Sequence, residues 1–270
     1  KIMEIQSTTF FHAKNLQQFL YYRKTVNQIQ VVGNCTQIKE MPSNVVSTSS
    51  IPELRLINKH ERFIDIGPAV TLSEILDLGK NHIPEVLFKS ILTIGTPYVR
   101  NLATIGGNLF NKDYKSTLYS TLLAMNAIIE LKSEDSTKLI KLTNFEKIPE
   151  KFVVTKIRLP IEEWDSQFFL RYGKDYTLDD HSASYTSLIK TEKNVISDIR
   201  IVFAGPIAYR FNTIENNLLG VKLPLSKGQI FPLVEENISV FSEQLNGIRN
   251  KEEFQVITKN ALLQTLLNIC

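Results

Sequence analysis

The stretch Val99-Arg100-Asn101-Leu102-Ala103-Thr104-Ile105-Gly106-Gly107-Asn108-Leu109 decides how this chain is read. Successive backbone N–H groups in a glycine-rich bend form a concave nest for anionic oxygens. Glycine there lets another group come close, or lets the backbone take a positive φ. The Thr104 hydroxyl and the Asn108 amide add side-chain donors. A second bend of this kind lies upstream, Val31-Val32-Gly33-Asn34-Cys35-Thr36-Gln37, directly after a β-rich run at Ile29–Val32. Taken singly, each bend is compatible with an ordinary turn.

Working outward, apolar Leu16, Phe19 and Leu20 predict a helix within Ala13–Lys24. Short strands are expected at Val45–Val46 and Phe63–Ile66, the latter closed by Gly67-Pro68. Thr71-Leu72-Ser73-Glu74 reads as a capping box that opens a helix through Leu78. A further helix is expected from Pro84 to about Leu92, and another over Leu118–Met125. Ala127–Leu131, Leu139–Leu142 and Phe152–Leu159 read as strands, with a turn at Ser133–Lys138. Beyond Pro160, the runs Phe168–Tyr172, Ser184–Lys190 and Val195–Phe203 predict a meander, with a polar turn at Thr191–Asn194. Leu233–Leu245 and the stripe Phe254, Ile257, Ala261, Leu262, Leu266, Ile269 predict closing helices. The fold class is α+β in three lobes, with breaks near residues 58 and 162.

Composition narrows the function. The chain has 270 residues, 43% hydrophobic and 22% charged, so a packed core rather than disorder is expected. No run approaches the ~20 apolar residues that span a bilayer. The formal charge of +3 is spread along the chain, which gives no argument for nucleic acid. The opening KIMEIQSTTFFHAKN has no apolar signal core, so no signal peptide is expected. The cysteines are Cys35 and Cys270; a reduced, cytoplasmic setting is expected, and two thiols do not hold an iron–sulfur cluster. The histidines His12, His60, His82 and His181 show no metal-ligand spacing, and no metal site is expected. Nucleotide-loop, zinc-protease and nucleophile-elbow signatures are absent. Electrons, if handled, would pass through an organic cofactor or a partner.

The first bend, the segment Asp65–Ile75 and then the RNLATIGGNL string come in an order that resembles the FAD-binding subunit of the molybdenum hydroxylases. That family includes xanthine dehydrogenases and carbon monoxide dehydrogenases. The VVGN…EM form of the first bend is similar to that of xanthine dehydrogenases, and IRIVFAGPIAYRFNTIENNLLG from Ile199 resembles the family's C-terminal lobe. The resemblance implies two small N-terminal α/β subdomains, about 1–58 and 59–162, forming a PCMH-type FAD-binding region over 1–162. A C-terminal α/β lobe with antiparallel sheet and helices would cover 163–270, with the flavin between the two. It implies FAD contacts from Val32, Gly33, Asn34, Cys35, Thr36 and Gln37, and from Thr104, Gly106, Gly107 and Asn108. Ile94 would flank the ring. It also implies partners: a molybdopterin-binding large subunit, a small subunit with 2Fe–2S clusters, and NAD⁺ or another acceptor. No residue of this chain is expected to act as a catalytic acid or base.

Departures from the family pattern mark further positions. Ser116-Thr117-Leu118 stands where Ser-Asp-Leu is usual, putting Thr117 in place of a carboxylate, and Asp113-Tyr114 replaces a small residue and proline. Phe169-Leu170-Arg171-Tyr172-Gly173-Lys174 puts Arg171 where a lysine is usual, either as a cation near the flavin or on a solvated strand face. Asp179–Ser182 fills an Asp-x-Ala position and contributes His181. Cys35 replaces threonine; if the bend binds through its amides, Cys35→Thr is expected to retain or tighten FAD binding. Two other readings stay open: a flavin-free assembly module of the same fold, and a stand-alone FAD oxidase.

Overall fold

The computed structural model describes residues 8–38, 40–111, 117–175 and 177–269. In chain order the first elements are strand β1 (Thr9–Phe11), helix α1 (Leu16–Thr25), and strands β2 (Gln30–Val32), β3 (Asn44–Ser47), β4 (Ile57–Lys59) and β5 (Phe63–Ile66). Helices α2 (Leu72–Leu76), α3 (Glu85–Leu92), α4 (Pro97–Arg100), α5 (Ile105–Leu109) and α6 (Leu118–Ala124) follow. Strands β6 (Ile128–Lys132), β7 (Thr137–Lys141), β8 (Val153–Pro160), β9 (Ser166–Tyr172), β10 (Ala183–Glu192), β11 (Val195–Ala204) and β12 (Ala208–Arg210) come next. The chain closes with helices α7 (Asn212–Leu218), α8 (Lys227–Gln244) and α9 (Lys251–Leu267). No helix among the described residues is long and apolar enough to cross a membrane.

The chain forms two compact units that are not continuous in sequence. One takes the chain up to Leu78, Thr96–Phe110 and Asn126–Ile161; the other takes Gly79–Gly95, 111–125 and the chain from Glu162. One change of unit falls at Ile161/Glu162. Helices α3 and α6, however, belong to the second unit although their sequence lies within 1–162. Periodicity gives the type of an element but not the sheet it covers, because that depends on contacts remote in sequence.

The first unit holds two sheets. Strands β1, β3 and β2 lie parallel in that spatial order. Asn15 caps α1 by accepting a hydrogen bond from the Gln18 N–H, and α1 buries Phe19 and Leu20 beside Ile29, Val46, Ile51, Leu54 and Val153. The second sheet runs β4-β5-β8-β6-β7, antiparallel throughout. Strand β6 and the later part of β8 alternate buried and half-buried residues, as a sheet with one covered face requires. Asp65 and Arg158, paired across β5 and β8, are joined by a two-pronged contact of 2.7 and 2.9 Å.

The second unit is the expected meander, β9-β10-β11-β12 in sequence order and antiparallel. Its β10–β11 hairpin turns on Lys193 and Asn194, both at positive φ, which matches the right-handed twist of the strands. Phe203, Phe211, Phe241 and Phe254 meet in one aromatic cluster under α8 and α9. On β10 the buried hydroxyls of Ser184 and Thr186 bond to Ser120 of α6, while Tyr185 and Ser187 bond to Thr265 of α9. Helix α8 starts before the expected Leu233 because Ser226 and Gln229 form a capping box upstream of Pro232.

Candidate functional site

The two glycine bends both lie in the first unit and touch each other. The Asn34 Nδ2 donates to the Leu102 carbonyl across 2.8 Å. A Cβ placed on Gly33 would stand 3.2 Å from the Thr104 Oγ1. Bends separated by 68 residues are thus brought into register, with Thr104, buried, at their junction.

Their backbone chemistry differs. The second bend is a capped helical turn, not an open loop: Thr104 is the N-cap of α5, and its Oγ1 accepts from the Gly107 N–H at 3.0 Å. The Ile105 N–H donates to Val70 O, the Gly106 N–H to Pro68 O, and the Asn108 N–H to Thr104 O, each at 3.0 Å. Every amide from 105 to 108 is therefore engaged inside the protein, so the expected nest of free amides is not present there. What this bend offers is the Thr104 hydroxyl proton, with Asn108 buried beside it. Gly106 has a packing role: a Cβ there would fall 2.6 Å from the Pro68 carbonyl oxygen.

The first bend is the opposite case. Among the described residues, no acceptor takes the amides of Gly33, Asn34, Cys35 or Thr36. The left-handed position is Cys35, at φ +57°, and not the glycine. One left-handed residue in a run of amides turns successive N–H groups to one side, which is the geometry of an anion nest. Val32 is buried at the root of the bend, held by the Thr48 N–H on its carbonyl at 2.9 Å, while Cys35, Thr36 and Gln37 are exposed. The φ of Cys35 revises the expectation for Cys35→Thr, since a β-branched residue is strongly disfavoured there.

The segment before α2 builds the floor beneath the second bend. Besides the bonds to Pro68 and Val70, Leu72 N donates to Ala103 O at 2.8 Å, and Ser73 Oγ meets Asn101 Oδ1 at 2.6 Å. The Thr71/Glu74 capping box forms as read from the sequence. Burial pushes the Glu74 carboxyl up, but the Thr71 N–H, the Arg55 guanidinium and the Thr71 hydroxyl together hold it below the ordinary carboxylate value. The sequence showed no sign of the support from Pro68, whose oxygen is available only because position 106 has no side chain.

Residues 5–162 match the family profile described as the FAD binding domain in molybdopterin dehydrogenase. The chain belongs to that family. FAD is its cofactor, and the donor set of the first bend fits a diphosphate: main-chain amides that no acceptor among the described residues takes, with no carboxylate in Val32–Gln37. The chain is 29% identical over 218 residues to the glyceraldehyde dehydrogenase medium chain of Sulfolobus acidocaldarius, a match covering 76% of this chain and 74% of that one. It is 29% identical over 147 residues to the nicotinate dehydrogenase FAD-subunit of Eubacterium barkeri, covering 50% and 49%. Against abscisic-aldehyde oxidase of Arabidopsis thaliana the match spans only 13% of that protein. The fold is that of a chain of quinoline 2-oxidoreductase from Pseudomonas putida 86, with a TM-score of 0.80, 15% identity and coverage of 99% and 98%. A chain of a Cu,Mo-CO dehydrogenase superposes with a TM-score of 0.79 at 14% identity, covering 97% of both.

The remaining marked positions lie in the second unit. Ile94 is buried just after α3, and Thr117 is buried at the start of α6. Asp113, Tyr114 and Ser116 lie outside the described residues, as does Cys270. Arg171, at the end of β9, turns its guanidinium onto its own loop, donating to Lys174 O at 3.0 Å and Thr177 O at 2.6 Å; burial pushes its pKa down. It is half-buried, and its guanidinium ties the end of β9 to the carbonyls of Lys174 and Thr177. His181 Nδ1 lies 2.7 Å from Glu253 Oε2, tying the 179–182 segment to the start of α9. Among the described residues no three His, Cys, Asp or Glu side chains are grouped to hold a metal.

Proposed function

We propose that this chain is the FAD-binding, electron-transferring subunit of a multi-subunit molybdenum hydroxylase. Bound FAD supplies the redox-active ring. The chain's own residues bind and orient the cofactor: the amides of Gly33–Thr36 receive the diphosphate, the Thr104 hydroxyl and Asn108 supply donors beside them, and Val32, Gln37, Gly106 and Gly107 shape the two bends. Ile94, Thr117 and Arg171 serve the ring or its surroundings, Arg171 by holding its turn. The partners would be a molybdopterin-binding large subunit and a 2Fe–2S small subunit, with NAD⁺ or another acceptor taking the electrons in a cytoplasmic complex. The likeness of the VVGN…EM bend to xanthine dehydrogenases is the support for an enzyme of that type, with the oxidised substrate chosen on the large subunit.

The observation that carries the reading is the unengaged run of amides at 33–36 set against the Thr104 turn. Absorption spectroscopy of the purified full chain after incubation with FAD tests it. Flavin bands at near one equivalent are expected. Their absence would favour the flavin-free assembly module, a reading that Thr117 in place of a carboxylate also favours.

A further inference from the structure

Residues Gly33–Thr36 carry the free amides, yet few bonds among the described residues hold them in place. Gly33 O accepts from Ser47 Oγ at 3.5 Å, and the Cys35 Sγ approaches the same oxygen at 3.8 Å, both weak contacts. Among the described residues, the one bond of good length from Gly33–Thr36 to a distant part of the unit is Asn34 Nδ2 to Leu102 O. The acceptor stands on firm ground. Leu102 N donates to Val99 O at 3.1 Å, Ala103 N to Val99 O at 2.7 Å, and every amide from 105 to 108 is engaged. A rigid turn and an otherwise loose nest are therefore joined through a single side chain.

We infer that Asn34 is a positioning residue: its amide straps the first bend to the Leu102 carbonyl and sets the Gly33–Thr36 nest before any ligand arrives, rather than serving mainly as a ligand contact. The chemistry of the side chain favours this role. Asn supplies a donor to the carbonyl, and its remaining Oδ1 is an acceptor, which a diphosphate oxygen would repel. The half-buried strap orders a segment of several residues in advance, so that binding does not have to order it. Asn34→Asp is nearly isosteric but places an acceptor against the Leu102 carbonyl, and Asn34→Ala removes the strap without repulsion.

The inference rests on the FAD reading for its ligand, but the strap is tested without any ligand. Backbone ¹⁵N relaxation on the full chain free of FAD would compare wild type, Asn34→Ala and Asn34→Asp. Order parameters at 33–36 are expected in the rigid range for wild type and to fall below about 0.6 in both variants. Those at 104–108 should not change, and melting of the folded chain reports that each variant remains intact. In FAD titrations the dissociation constant should rise about three- to tenfold, the factor that one net hydrogen bond is worth. Unchanged order at 33–36 in Asn34→Ala would overturn the strap, whatever happens to affinity. A wild-type chain that binds no FAD would overturn the cofactor reading instead, while the relaxation data would still decide the strap.

Discussion

Cys35 places a β-carbon at a backbone position that suits glycine. At φ +57° an L-residue pays roughly 1–2 kcal/mol relative to a right-handed conformation. The unbranched Cys side chain keeps that cost at its lower end, whereas a branched Cβ at the same φ is an outlier. Cys35→Thr is therefore expected to disfavour the nest conformation by about 1 kcal/mol more, which reduces the competent fraction and weakens FAD binding about fivefold. Cys35→Gly removes the steric cost of 1–2 kcal/mol but adds ~0.5–1 kcal/mol of backbone entropy to the open states, so its affinity should equal or exceed wild type. Cys35→Ser isolates the donor chemistry, because it exchanges thiol for hydroxyl without branching, and should fall within about twofold of wild type if the bend binds through its amides. Titration of the full chain with FAD, followed by quenching of flavin fluorescence at fixed salt, gives the order. Glycine at or above cysteine, serine beside it and threonine last is the expected result. Threonine binding as tightly as wild type while glycine binds more weakly would refute the reasoning, since position 35 would then not be left-handed when the cofactor is held.

Other consequences concern the frame around the site. Gly106→Ala drives a Cβ to within 2.6 Å of the Pro68 oxygen and 2.7 Å of its Cβ, and should cost about 1–3 kcal/mol in thermal unfolding; a variant melting like wild type would show that the floor of the turn yields. In the second unit, Glu215 accepts from the Ile201 N–H at 2.7 Å and from the Arg210 Nε at 2.9 and 3.0 Å, while burial pushes its carboxyl up. Arg210→Leu leaves that charge buried with its cation removed and should destabilise the unit by about 3 kcal/mol, read by the fluorescence of Trp164 in denaturant. Glu74 has a lowered pKa when folded, so its contribution is present above the unfolded value of about 4.3 and is lost as the pH falls through the folded value. The stability gap between wild type and Glu74→Gln, measured by urea unfolding from pH 6 to pH 3, should therefore close on the acid side; a constant gap would show that the capping hydrogen bonds do not depend on the charge.

The local signals in this sequence were strong where an element is decided by its own residues. Helix α1 carries the stripe Leu16, Phe19 and Leu20 read for it, Thr71 and Glu74 form the expected box, and Phe63–Ile66 is a strand over the residues read for it. The order of the two bends was also enough to bring the family into view. Several short elements were not legible. β1, β4 and β12 have three residues each, too few for any periodicity to show, and α4 and α5 are single turns hidden under glycine and proline.

What only the tertiary structure decided is which donors are free. Gly106 and Gly107 read as an anion nest, but Pro68 and Thr104 take their N–H groups, whereas the bend without a glycine pair keeps its amides open. Arg171 read as a cation for a ligand or for solvent, and its two terminal nitrogens also donate to the carbonyls of Lys174 and Thr177. Helices α3 and α6 read as part of the region around them and pack with the second unit. The physical reason is common to all three. Periodicity and capping report interactions over a few residues, while the fate of a hydrogen-bonding group depends on whichever distant carbonyl the folded chain sets beside it.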